Sequence, residues 1–325
     1  MSVAGIPVLA ERPASYLQQL LSNRSTDLQA RPPVVDGVAT DVADSGKPRS
    51  WVGLGTVIPV LAGSPGAGAS VLAAVVADAL AAQGLRVLLV DASEPLRSGL
   101  LLAAAVDGPT TNGPHPGVRI RHARRGPIRV ARLETFGPSR RCEPMHPPAS
   151  YWLPPDEDDP GVDVTVVDLG WHSWQGDEVS HDGPGTWLRA GPQSPRPILA
   201  VRHTVPGARA AEVVLEGLAR RRRSTNLAAV AAVVLIGTKK PGTAVVAAAG
   251  HHLESLLDSA VSLPADPGLS ERGVTDTETP ARLQRALTPL LDTLEVLRSS
   301  INAACRPVGG RLQPRPSPHH EGAQS

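Results

Sequence analysis

Apolar residues fall in short continuous runs rather than in strict alternation, and stretches with helical spacing separate the runs. Seven runs read as strands: 56–63 (TVIPVLAG), 86–92 (RVLLVDA), 127–134 (PIRVARLE), 162–170 (VDVTVVDLG), 197–203 (PILAVRH), part of 227–237 (LAAVAAVVLIG) and 260–266 (AVSLPAD). Each is short, rich in Val, Ile or Leu, and flanked by turn residues. Helical spacing covers 69–84, 98–106 (SGLLLAAAV), 206–222, 243–257 and 280–300, the last kinked at Pro289. Strands without polar alternation are buried on both sides. This order predicts an α/β fold: a doubly wound, mostly parallel sheet with helices on both faces. One domain over 51–300 holds all of it. Residues 1–50 read as a largely disordered or loosely packed N-terminal segment and 301–325 as a disordered tail. The Arg/Pro-rich insertion 108–161 reads as irregular apart from its one strand.

Composition narrows the class. The 325 residues carry a net charge of +1 and are 41% apolar, so the chain can bury a sizeable core without calling for a polyanionic partner. Only 2% are aromatic, which leaves Ala, Val and Leu to build that core. Two cysteines, Cys142 and Cys305, make neither a disulfide framework nor a Cys-rich zinc site. The longest apolar run, 227–237, falls short of the ~20 residues of a membrane span. The N-terminus lacks a basic segment followed by an apolar one, so no signal peptide is read. The expected setting is soluble, reducing and cytoplasmic.

The richest stretch is Gly63-Ser64-Pro65-Gly66-Ala67-Gly68-Ala69-Ser70, between a strand and a helix. Its glycines let the backbone turn tightly and aim N–H groups inward, and the helix N-terminus adds partial positive charge. The spacing is that of G-x-x-x-x-G-K-[ST], except that Ala69 stands where the lysine belongs. Ser70 keeps the hydroxyl that ligates Mg²⁺ in such loops.

This segment, continued through "SVLAAVVADALAAQGLRVLLVDA", resembles the deviant Walker A region of the ParA/MinD family of P-loop ATPases. "VDVTVVDLG", ending at Asp168 and Gly170, is similar to that family's Walker B strand. "AVVLIGTKKPG" is similar to its base-contacting strand and loop, and "SLPADPGLSERG" to its late strand exit. The resemblance implies ATP or ADP with Mg²⁺ as cofactor. Residues 63–70, Asp91, Thr238 and Lys239 would be nucleotide contacts, and Ser70 and Asp168 cation ligands. It also implies a nucleotide-bridged homodimer acting in DNA partitioning, positioning or transfer. Two departures bear on activity. Ser64 and Ala69 occupy both lysine positions, and Ser93 replaces the second carboxylate of Asp-x-Asp. Those lysines neutralise charge on the transferred phosphoryl group, so a regulatory or scaffolding pseudo-ATPase is expected. An active ATPase using a non-standard arginine (Arg97 or Arg202) and a nucleotide-free DNA- or partner-binding module stay open.

Two basic runs are candidate partner surfaces for DNA or protein: Arg119 to Arg141, with eight arginines against Glu134 alone, and Arg220 to Arg223. Arginines at a helix C-terminus also suit the helix dipole. "DEDD" (156–159) reads as a solvated loop and His319–His320 as solvated tail residues. "GWHSWQGDE" (170–178) supplies Trp171 and Trp174, either for packing on the sheet edge or for a partner patch; His172 has no paired nucleophile.

Overall fold

The computed structural model describes residues 53–93, 98–104, 106–112, 118–135, 152–153, 161–171, 187–189, 194–223 and 226–294. All of them belong to one compact unit, Arg49–Ser325. The expectations for 1–50 and 301–325, for Arg97, Arg140, Arg141, Cys142, "DEDD", His172, Trp174 and Cys305 lie outside the described residues.

The strands are β1 (Thr56–Ala62), β2 (Val87–Asp91), β3 (Val106–Asn112), β4 (Val118–Arg125), β5 (Ile128–Thr135), β6 (Val164–Gly170), β7 (Ile198–Arg202), β8 (Ala232–Ile236) and β9 (Val261–Leu263). They form one sheet in the order β3-β4-β5-β2-β6-β1-β7-β8-β9. From β5 to β9 every pairing is parallel, and β3-β4-β5 is an antiparallel meander. The predicted doubly wound, mostly parallel α/β sheet is the observed one.

Helices α1 (Ala69–Ala81) and α2 (Val205–Arg222) cover opposite faces. One core layer joins Leu72, Val76 and Leu80 of α1 to Ile58, Leu89 and Val166. The other joins Ala211, Val214 and Leu218 of α2 to Leu61, Val90 and Val167. Alternate residues of each strand thus enter different layers, as a sheet buried on both sides requires. Pro59 is tolerated within β1 because of ladder parity. The amide of Thr56 points to the β6 side and that of Gly63 to β7, so odd-numbered positions face β7. Pairing with β7 begins only at Val60, one residue beyond Pro59.

Four local expectations are corrected. Residues 98–106 do not form a helix: 99–102 are turns, and Val106 opens β3. Helix propensity there yields to pairing of Val106 with Arg124. The insertion is not irregular apart from one strand, because β3 and β4 extend the sheet beside β5. Residues 243–257 are two short helices, α3 (Thr243–Ala247) and α4 (His251–Leu257). The break falls at Gly250, where a Cβ would lie 2.4 Å from the Glu212 carboxyl carbon. The closing helix is likewise divided into α6 (Ala281–Ala286) and α7 (Thr288–Thr293), ahead of Pro289. A short α5 (Pro267–Arg272), capped by Asp266, precedes them unanticipated.

A buried ion pair ties three elements together. Arg125 of β4 donates from Nε to Asp78 Oδ1 of α1 at 3.1 Å and from Nη2 to Oδ2 at 2.9 Å. The Thr279 amide, just ahead of α6, donates to Asp78 Oδ2 at 2.7 Å.

Candidate functional site

β1 and β7 are neighbours, yet the helices that follow them pack on opposite faces, so a crevice opens at their C-terminal ends. The loop 63–70 occupies it. The Gly63 amide donates to Ala200 O of β7 at 2.8 Å. A Cβ at Gly63 would stand 3.1 Å from Ala200 O and 3.1 Å from Ala211 Cβ of α2, so a side chain has little room there. Gly66 (φ +68) and Gly68 (φ +94) take left-handed conformations, and Ala67 N donates to Ser64 O at 3.1 Å to close the turn. The tip is open: a Cβ on Gly66 would meet no atom within 4 Å. Gly68 is the N-cap of α1 and offers no side-chain cap. Gly68 thus leaves the leading amides of α1 without a cap from its own side chain, at the positive end of the helix. Pro65 is exposed, Ser64 is partly exposed, and the Ala69 methyl is packed into the α1 core layer.

Ser70 lies on the first turn of α1. Its Oγ accepts from the Gly99 amide at 3.2 Å, and its hydroxyl lies against the Asp168 carboxylate. Asp168 is fully buried near the end of β6. Its Oδ1 accepts from Gly170 N at 3.0 Å, whereas Oδ2 has no hydrogen-bond partner. Asp91, at the end of β2, is the register partner of Asp168. Ser98 Oγ donates to Asp91 Oδ2 at 2.5 Å, and Oδ1 is left without a partner. Burial, and next the neighbouring Asp168 charge, push the Asp91 carboxyl up to about 7; Ser98, Arg132 and the Ser93 amide pull against this. Burial raises Asp168 as well, opposed by hydrogen bonds from Ser70, Gly170 and Ser93.

The sequence-predicted residues come together in part. The loop, Ser70, Asp168 and Asp91 share the C-terminal edge of β1, β6 and β2. The turn after β8 adjoins them, since a Cβ on Gly68 would lie 3.1 Å from Ile236 Cγ2. There Thr238 Oγ1 donates to Lys240 O and accepts from Lys240 N, so its hydroxyl is engaged in its own turn, while Lys239 is exposed. The arginines from Arg119 to Arg132 do not form a single exposed patch. Arg125 and Arg132 are buried, and Arg121 pairs with Glu134. Arg220, Arg222 and Arg223 are exposed, with Arg220 3.6 Å from Glu216 one turn earlier. Sequence reading missed Ser98, Gly99 and Arg132, because only strand register and a loop crossing bring them to the site.

No family model matches the chain, and no curated protein matches it. Among solved structures, the chain is similar to a ParA family ATPase from Chlorobium tepidum TLS, at 13% identity over 78% of this chain and 98% of that one, with a TM-score of 0.43. It is similar to a chain of the MinC:MinD cell division protein complex of Aquifex aeolicus, at 15% identity over 82% and 100%, with a TM-score of 0.42. It is also similar to the cell division ATPase MinD of Pyrococcus furiosus, at 14% identity over 75% and 100%, with a TM-score of 0.41. No described helix is long and apolar enough to cross a membrane.

Proposed function

We propose that the chain binds a nucleoside di- or triphosphate in the loop 63–70, and that it acts as a regulatory or scaffolding pseudo-ATPase in DNA partitioning, positioning or transfer. One observation carries this reading: the loop is an uncapped helix N-terminus whose first-turn hydroxyl, Ser70, lies against a buried carboxylate with one bare oxygen, Asp168 Oδ2. Backbone amides supply the anion grip, so binding does not require the two absent ammonium groups.

The donor set suits a hard divalent cation. A hydroxyl and a carboxylate are oxygen ligands of the kind Mg²⁺ takes, and Asp168 Oδ2 has no protein partner to give up. Ser70 and Asp168 would hold the ion, which would screen phosphate charge. Asp91 would orient a water beside it. Lys239 would reach the base or ribose from the turn after β8. Weak hydrolysis follows from Ala69: a buried methyl cannot neutralise charge developing on a transferred phosphoryl group. The ligand-bridged homodimer and a DNA or protein partner at the exposed Arg220, Arg222 and Arg223 belong to the same proposal.

Isothermal titration with ATP and ADP, with and without Mg²⁺, tests it. Binding of both nucleotides is expected, with a Mg²⁺ enhancement that Ser70→Ala abolishes, and without efficient steady-state turnover. Absence of heat with either nucleotide overturns the binding assignment. Sustained turnover abolished by Ser70→Ala overturns the pseudo-ATPase assignment and leaves binding intact.

A further inference from the structure

Arg132 of β5 is 5% exposed, and its Nε has no hydrogen-bond partner. No ion pair holds its guanidinium among the described residues. The nearby inward arginines differ: Arg125 is bidentate on Asp78, and Arg121 pairs with Glu134. A buried guanidinium N–H without an acceptor is costly, so the bare Nε points to a missing partner at this site.

Its position says where that partner lies. Arg132 is the register partner of Asp91, which is in turn the register partner of Asp168. In-register residues of neighbouring strands share a face, and Val130, two residues before Arg132, enters the core layer that α1 covers. Arg132, Asp91 and Asp168 therefore form a row on the α1 side, at the C-terminal ends of three adjacent parallel strands. Strands ~4.8 Å apart put the Arg132 backbone about 10 Å from that of Asp168, a gap that an arginine side chain largely spans. Asp91 already feels the Arg132 charge, although the two groups form no ion pair. The loop that closes the row, Ser98–Gly99, touches Asp91 at one end and Ser70 at the other.

We propose that Arg132 is the cation of this site: its guanidinium takes a terminal phosphoryl group of the nucleotide whose other phosphates sit on the loop 63–70. This rests on the nucleotide-binding reading and supplies the charge that Ser64 and Ala69 no longer bring. A guanidinium fits the task, because it stays ionised when buried and grips phosphate oxygens through two parallel N–H donors.

The experiment compares ATP, ADP and AMP affinities of the wild type, Arg132→Met and Arg132→Lys, with thermal melts of each. Arg132→Met is expected to weaken ATP and ADP binding by about ten- to a hundredfold and to leave AMP unchanged, with Arg132→Lys between. Equal loss for all three nucleotides, or no loss, overturns the assignment and makes Arg132 a counter-ion to Asp91 only. A wild type that binds neither ATP nor ADP overturns the nucleotide-binding reading itself. A second measurement needs no folded Met variant. The Nε–Hε resonance of Arg132 in the wild type, assigned through Arg132→Lys, should move on titration with inorganic pyrophosphate; a resonance that stays put at saturation overturns the proposal.

Discussion

Asp91 and Asp168 stand side by side as register partners on β2 and β6, and each keeps one buried carboxylate oxygen without a hydrogen-bond partner. Two anions so placed and so dry cannot both ionise cheaply, and the row retains a proton toward neutrality.

The pH dependence of stability follows. Asp91 titrates near 7 in the folded protein against an ordinary 3.8, so the native state holds a proton that the unfolded chain has released. Stability falls as pH rises from about 4 to about 7 and levels off above. Asp91→Asn should flatten this slope and raise stability at alkaline pH by up to about 4 kcal/mol. Urea denaturation across that range reads the effect; an unchanged slope in the variant removes Asp91 as its source.

The Asp78–Arg125 pair is expected to respond asymmetrically. Asp78→Leu or Arg125→Met alone leaves a buried charge unpaired and should cost about 3–5 kcal/mol. The double variant Asp78→Leu/Arg125→Met should recover most of that loss. A double-mutant cycle on thermal melts checks it; additive losses would mean that the two groups act independently.

Gly99 separates loop placement from global stability. A Cβ there would lie 2.7 Å from Ser70 Cβ and 2.8 Å from Ser70 Oγ. Gly99→Ala should therefore displace the 98–100 loop at a cost of about 1–3 kcal/mol and change the Mg²⁺ enhancement of nucleotide binding. A stable variant with wild-type Mg²⁺ response would show that Ser70 tolerates the displacement.

Glu212 is the side-chain cap of α4. It accepts from His252 N at 3.0 Å, from Leu253 N at 2.8 Å and from His252 Nδ1 at 3.0 Å. Burial pushes its carboxyl up, but these bonds outweigh burial and hold it below the ordinary 4.5. The stability it contributes is present above that value and is lost as pH falls through the lower folded one. Glu212→Ala should cost about 1–3 kcal/mol at neutral pH and nothing extra in acid.

The glycine-rich turn at 63–70 and the parallel sheet were legible because short sequence patterns encode both. Closely spaced glycines at a strand exit, and apolar runs without alternation, have few other uses. The β3-β4 pair was not legible. "VDGPTTN" carries Gly and Pro, and "VRIRHARR" reads as a basic cluster, so only pairing with β5 reveals strands. The 98–106 segment was misread for the converse reason: its Leu/Ala content favours helix, but contacts with Asp91, Ser70 and β4 win. Arg132 was invisible as a site residue, because only the pairing of β5 with β2, distant in sequence, sets it beside Asp91. Ala69, where the loop pattern has a lysine, packs its methyl into the core layer under α1.

The irregularity in β3 has its own consequence. Register between β3 and β4 shifts between Asp107 and Thr110, across Gly108 and Pro109, at one margin of the sheet. A kinked outermost strand with a proline offers a broken row of donors, so it is a poor template for a further strand from another chain. Among the described residues, the sheet thus ends on the β3 side in a margin that resists addition of a strand from another copy.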